Sequence, residues 1–286
     1  MTDFAARRAA FRALHQSGCF VLPNPWDIGT ARFLRRLGFK ALATTSSGFS
    51  FSKGLPDTDW AVPLEAALAH IAEIVAATEL PVNADFESGY AHDPEGVAAN
   101  VAACVATGVA GLSIEDATGD KDKPLYDLAH AVERMRAARA AIDASGADVL
   151  LTGRAECYLV GHEDPLTESI RRLQAYAEAG ADVLYVPGPR RREDIKAVVQ
   201  ALAPKPVNVI MSSNTGLSVA DLAELGVRRI SVGSALARAA WTGFIRAARL
   251  IADEGRFNGF DATISFNDLN TFFREDFANR QTGDAP

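Results

Sequence analysis

The stretch Pro81-Val-Asn-Ala-Asp-Phe-Glu-Ser-Gly-Tyr90 carries two carboxylates, Asp85 and Glu87, out of a short apolar approach and into a glycine-containing turn. Side chains two apart on a strand point the same way, so the two acids are expected to converge. Converging anions repel unless a cation lies between them, and carboxylates, water and substrate oxygens are the hard ligands that Mg²⁺ favours. A divalent-metal site is therefore the first chemical expectation. An isolated acid pair of this spacing also occurs where a strand simply meets solvent, so the surrounding elements must decide between the two.

Those elements repeat. A helical pattern ends, a small residue and glycine follow, and a short apolar strand runs into polar residues. The copies are Leu37-Gly-Phe-Lys-Ala-Leu-Ala-Thr-Thr45, Thr107-Gly-Val-Ala-Gly-Leu-Ser-Ile-Glu115, Ser145-Gly-Ala-Asp-Val-Leu-Leu-Thr-Gly153, Ala179-Gly-Ala-Asp-Val-Leu-Tyr-Val-Pro187 and Leu225-Gly-Val-Arg-Arg-Ile-Ser-Val-Gly233. Glycine suits the left-handed residue that ends a helix. Adding Phe20-Val-Leu-Pro23, Leu80-Pro-Val-Asn-Ala84 and Pro206-Val-Asn-Val-Ile210 makes eight strands. Helical patterns at 60–77, 94–107, 128–144 and 165–179 alternate with them. The expected fold is α/β, a (β/α)8 TIM-type barrel. A doubly wound open sheet is the alternative, but no G-x-G-x-x-G turn follows the first strand.

In such a barrel the chemistry sits at the carboxyl ends of the strands. The first strand ends at Asn24-Pro-Trp26-Asp27 and the second at Thr44-Thr-Ser46-Ser47-Gly48-Phe49-Ser50. The third delivers Asp85 and Glu87, the fourth Glu115 and Asp116, and the fifth Arg154 and Glu156. The seventh contains Asn208, and the eighth ends at Ser231 and Ser234. Acids gathered with one arginine at a single rim point to a site rather than to solvated strand ends.

Composition narrows the partners. The net charge is −7 and the basic residues are dispersed apart from Arg190 to Arg192, which gives a nucleic-acid surface little support. That triplet reads as capping or solvating a helix start. No apolar run approaches the roughly 20 residues needed to cross a bilayer, and the arginine-bearing N-terminus lacks a signal-like apolar segment, so no membrane association and a cytoplasmic location are expected. The three cysteines, Cys19, Cys104 and Cys157, include no C-x-x-C pair, which argues against disulfides and a thiolate zinc site.

With those residues in hand, the chain resembles the isocitrate lyase and phosphoenolpyruvate mutase superfamily over nearly its whole length. The resemblance rests on Leu22-Pro-Asn-Pro-Trp-Asp27, Thr45-Ser-Ser-Gly-Phe-Ser50, Asp85-Phe-Glu-Ser-Gly-Tyr90, Leu112-Ser-Ile-Glu-Asp116 and Gly153-Arg-Ala-Glu156, in order. It implies that Asp85 ligates Mg²⁺, or Mn²⁺ in its place, while Glu87, Glu115 and Asp57 complete the acidic sphere through water. It also implies a 2-oxo carboxylate on the metal. Ser46, Ser47 and Gly48 would then donate to the substrate carboxylate and Arg154 would pair with substrate oxygens. Trp26 is expected to line the pocket floor and Asn208 to contact substrate. Catalytic roles fall to Arg154, Glu115 and Thr45.

Two departures shape the functional expectation. Thr45 stands where the mutases carry tryptophan and the lyases usually tyrosine. The loop after the fourth strand, Ala117-Thr-Gly-Asp-Lys-Asp-Lys-Pro-Leu-Tyr-Asp127, lacks the Lys-Lys-Cys-Gly-His of the lyases and the Lys-Asn-Ser of the mutases. The expectation is cleavage or formation of a C–C bond at C3 of a 2-oxo acid through a metal-held enolate, of lyase or decarboxylase type. Phosphonate P–C chemistry and a catalytically silent 2-oxo acid binder are the alternatives. Residues 1–256 are read as the barrel, 257–280 as a C-terminal helix swapped between subunits of a homo-oligomer, most simply a tetramer, and 281–286 as a flexible tail.

Overall fold

A computed structural model describes residues 3–58 and 60–282, so most of the tail read at 281–286 lies outside the described residues. Eight parallel strands are present: β1 (Phe20–Leu22), β2 (Leu42–Ala43), β3 (Val82–Asp85), β4 (Gly111–Glu115), β5 (Leu150–Arg154), β6 (Val183–Tyr185), β7 (Val207–Ile210) and β8 (Arg229–Ser231). They pair in the order β1-β8-β7-β6-β5-β4-β3-β2. The remaining seam, between β1 and β2, is drawn together by the Ala43 N–H, which donates to Pro23 O at 3.0 Å. The result is a nearly closed (β/α)8 barrel, as the repeat implied. Each of the five repeated units folds as read, with a left-handed glycine between helix end and strand.

The helices are α1 (Phe4–Leu14), α2 (Ile28–Arg36), α3 (Ser46–Ser52), α4 (Leu64–Ala77), α5 (Pro94–Ala106), α6 (Leu128–Ala144), α7 (Pro165–Glu178), α8 (Arg192–Leu202), α9 (Val219–Glu224), α10 (Ala235–Glu254) and α11 (Phe266–Thr282). None is long and apolar enough to cross a membrane, among the described residues. The helix read at 60–77 starts later, at Leu64. Trp60 takes a left-handed φ of 51°, and Pro63 forms the N-cap. Residues 46–50, read as part of the polar end of the second strand, instead lie in α3.

The barrel interior is filled in layers. Phe11 of α1 is wholly buried among Leu22, Ala43, Leu150 and Val183, and so closes the amino-terminal end of the barrel. Gly111 makes room for it: a Cβ there would lie 2.7 Å from the Phe11 ring and 2.7 Å from Asn83 Oδ1. Above this layer Arg229, only 2% exposed, reaches across the interior. Its donors go to neutral groups, to Asn208 Oδ1 at 2.9 Å and Thr152 Oγ1 at 3.1 Å. A buried charge must find hydrogen bonds or shift, and burial does pull the Arg229 guanidinium down to about 10.

The chain divides into two compact units, Met1–Leu236 and Ala237–Pro286. The second unit contains most of α10, a 3-10 turn at Asn258–Phe260 and α11. Ser265 caps α11 as its sequence implied, accepting from the Asp268 N–H at 3.1 Å while its hydroxyl donates to Asp268 Oδ2 at 2.7 Å.

Candidate active site

Asp85, Glu115 and Arg154 end three adjacent strands in register. Asp85 is paired with Ser113, two residues before Glu115, and Glu115 is paired with Arg154. The Arg154 guanidinium meets Asp85 Oδ1 at 3.4 Å and Glu115 Oε2 at 3.0 Å through Nη1, and its Nε–H donates to Glu156 Oε1. Its face lies over the buried Tyr185 ring, 5.1 Å from the centroid. Burial opposes the Arg154 charge, but Glu115, Glu156 and Asp85 hold it firmly protonated. Burial pushes the Glu115 and Glu156 carboxyls up, and Arg154 pulls both back.

Glu87 arrives differently from what strand alternation implies. β3 ends at Asp85, and Glu87 sits in a left-handed turn with φ 45°. The turn nonetheless returns its carboxyl to the acids. Tyr90 OH donates to Oε1 at 2.8 Å and the Trp60 N–H to Oε2 at 3.4 Å. Desolvation first, and the charges of Asp85 and Asp57 with it, raise Glu87 to about 7. Asp57 is also raised, by desolvation and by Asp85, against Arg154 and a hydrogen bond from Ser47.

Five carboxyls thus gather here, and three of them, Asp85, Glu115 and Glu156, pair with the one arginine. Among the described residues no three acid, histidine or cysteine side chains stand close enough to hold an ion between them. The donor set still fits Mg²⁺, which is typically held by one or two carboxylates and keeps several waters. Carboxyls raised by burial and by one another are those a cation would relieve. Asp85 would bind it directly, and Glu87, Glu115 and Asp57 through water.

Several sequence expectations change. Ser46, expected to serve a substrate carboxylate, donates to Asp85 Oδ2 through both its N–H and its hydroxyl, each at 3.0 Å. The Gly48 N–H donates to Thr45 Oγ1 at 3.2 Å. Both follow from α3, whose first N–H groups have no acceptor within the helix and must find one outside it. Thr45, given a catalytic role on the sequence, is instead the N-cap of that helix and 1% exposed. Asn208 is also 1% exposed and joins Arg229 to Ser231 in the barrel interior, below the rim where substrate contact was expected. Trp26 lies in the turn before α2, its N–H donating to Thr30 Oγ1 at 3.2 Å, and it does not line the cavity beside Arg154. Asp116 turns from the rim to Arg172 and Tyr176 on α7, and accepts from the Glu156 N–H at 2.8 Å. The sequence had assigned no role to Tyr185 or Tyr90. The signals were there: Tyr185 closes an inward-alternating strand, and Tyr90 stands three residues after Glu87.

A parallel barrel with acids and one arginine at its carboxyl rim decides the comparison with known sequences. The chain belongs to the phosphoenolpyruvate phosphomutase family. The family profile matches residues 11–252. A solved Burkholderia cenocepacia J2315 protein, assigned provisionally as a lyase/mutase, is 48% identical. It superposes with a TM-score of 0.91 over 95% of this chain and 97% of its own. An oxaloacetate decarboxylase of Paraburkholderia xenovorans is 30% identical, over 80% of this chain and 75% of its own. A Mycobacterium tuberculosis protein of uncharacterised function is 34% identical, over 85% of this chain and 89% of its own. The family's relatives thus include a decarboxylase alongside the mutases of its name.

The Glu87 carboxyl gives a signed prediction. A carboxyl raised to about 7 in the folded protein binds more protons than in the unfolded chain, so its contribution to stability is lost as pH rises from about 5 through 7. Buried His15 and His70, lowered to about 3 and about 4, slope the other way. They are common to wild type and Glu87→Gln, so the difference between the two proteins isolates Glu87. Without metal, the variant should gain in melting temperature relative to wild type across pH 5 to 7, and saturating Mg²⁺ should flatten that difference. A difference independent of pH in the metal-free proteins would remove Glu87 from the acidic sphere.

Proposed function

We propose that the protein is a Mg²⁺-dependent lyase or decarboxylase that binds a 2-oxo acid and cleaves or forms a carbon–carbon bond at its C3. The observation that carries this reading is the surplus of carboxyls around Arg154 at the ends of β3, β4 and β5. The bound ion would supply Lewis acidity at the substrate carbonyl. The chain's own residues do the rest. Asp85 is oriented by Ser46. Glu115 and Glu156 hold Arg154 at a fixed angle, with one face on Tyr185. Arg154 also lines an open cavity, so it can fix substrate oxygens and offset the charge that reaches the carbonyl oxygen when the C3 bond breaks.

Decarboxylation needs chiefly an electron sink and so tolerates the missing loop thiol. The segment that carries the thiol in the lyases is here a short hairpin, with Ala117 bridged to Leu125 and the Thr118 N–H donating to Pro124 O at 3.0 Å. No cysteine replaces it: Cys104 and Cys157 are both buried, and Cys19 directly precedes β1, at the amino end of that strand. Product formation from a panel of 2-oxo acids and phosphonates, with Mg²⁺ present and then chelated, tests the reading. Turnover that persists in excess chelator, or turnover of phosphonates alone, overturns it.

The assembly belongs to the same reading, that of a cytoplasmic homo-oligomer. On α11 Phe266 is 81% exposed and Phe277 56%, and on α10 Phe244 is 62% exposed. Aromatic surface of this extent is unfavourable in water and favours a second copy of the chain as its cover. A tetramer of helix-swapped dimers is the arrangement we propose. Sedimentation at micromolar concentration should show an oligomer, and a monomer would exclude the swap.

A further inference from the structure

Breaking a bond at C3 of a 2-oxo acid leaves an electron pair that must end in a new C–H bond, so the site needs a proton donor as well as an electron sink. The cavity beside Arg154 is lined by no Asp, Glu, His or Cys. Its guanidiniums, Arg154 and Arg190, keep their protons, and the alcohols of Ser212, Ser213 and Thr215 are far weaker acids than a phenol. The remaining proton-bearing side chain of the lining is Tyr158.

The five tyrosines of the chain point the same way. Tyr90 OH donates to Glu87 at 2.8 Å, Tyr176 OH donates to Asp116 at 2.5 Å, and Tyr126 OH is tied to His92 Nδ1 at 2.6 Å. Tyr185 is buried under Arg154, with its hydroxyl on Ser231. Among the described residues the Tyr158 hydroxyl has no hydrogen-bond partner. The loop after β6 closes directly on this residue: Gly188 has φ 115°, and a Cβ there would lie 2.3 Å from Tyr158 Cβ. Burial, with Asp194 and Asp164 behind it, raises the phenol to about 12, so it carries its proton at any ordinary pH. Tyr158 is only half-buried, and water can return the proton once it is given up.

We propose that Tyr158 is the catalytic acid that protonates C3. This rests on the 2-oxo acid reading above. When the C3–C bond breaks, its electron pair passes into an enolate, and in a decarboxylation the departing carbon leaves as CO2. The pair then returns to C3 and takes the Tyr158 proton, the carbonyl re-forms, and the phenolate recovers a proton from water.

The test compares wild type with Tyr158→Phe, which keeps the ring against Gly188. Full-length protein in Mg²⁺ turns over the best-cleaved 2-oxo acid of the panel in D2O. Its C3 is made stereochemically distinguishable by a methyl group, as in 3-methyloxaloacetate, or by hydrogen isotopes. Wild type should deliver deuterium to one face of C3. The variant should bind oxalate as wild type does, lose about 10²-fold or more in kcat, and form its residual product without facial preference. Product without facial preference from wild type would make water the donor and overturn the inference. So would a variant that keeps the facial preference or a kcat within about threefold of wild type. Oxalate binding that falls in step with kcat would make Tyr158 a structural residue, with the 2-oxo acid reading intact. Wild type that cleaves no 2-oxo acid of the panel overturns that reading, and this inference with it.

Discussion

Asp85→Ala should abolish divalent-cation binding and lower turnover of the preferred 2-oxo acid by at least about 10²–10³-fold, the scale seen when a dominant electrostatic group is removed from a reaction site. Asp85 is the one acid we propose as a direct ligand. Its carboxylate is fixed by three donors, the Ser46 N–H, the Ser46 hydroxyl and Arg154 Nη1. In that proposal the other carboxyls would face the ion across water, and their loss should cost less. The variant should remain folded, because the Ser46 donors lie at a partly exposed rim and can turn to water. Titration calorimetry with Mg²⁺ and Mn²⁺ reads the effect directly. Cation affinity unchanged in Asp85→Ala would overturn the metal assignment, whatever the turnover.

Arg154→Lys should be nearly as damaging although it keeps the charge. A guanidinium presents a planar fork, and here Nη1 serves Asp85 and Glu115 while Nε serves Glu156. An ammonium cannot hold these directions and also face the cavity. Loss of a buried, hydrogen-bonded charge pair costs about 2–5 kcal/mol, or roughly 30-fold to several thousandfold in affinity or rate. The loss should appear in kcat and in the affinity for 2-oxo acids together. Affinity and rate both within about threefold of wild type, less than about 1 kcal/mol, would make Arg154 a structural residue.

Much of the molecule is legible in one dimension because its rules are local. The helix–glycine–strand unit depends on neighbours a few residues apart, and its repetition counts the strands of a barrel. Ser265 can cap α11 because Asp268 is three residues on. Rim residues are legible too, since a strand's last polar residue must lie at its carboxyl end. Where a local rule failed, another local rule had won. Alternation placed Glu87 beside Asp85, but the strand had already ended and a left-handed turn carried it there instead.

What a residue touches across the barrel was decided only by the tertiary structure. The sequence determined that Asp85, Glu115 and Arg154 end successive strands, and with them the chemistry on offer. It could not determine that Ser46 would spend its donors on Asp85, 39 residues away, or that Asn208 would be drawn inward by Arg229, 21 residues away. Nor could it divide the arginine triplet, because Arg192 leaves for Asp221 and Glu224 on another helix while Arg190 lines the cavity. In each case a charged or polar group takes the nearest partner that satisfies it, and nearness between distant segments exists only once the barrel has closed.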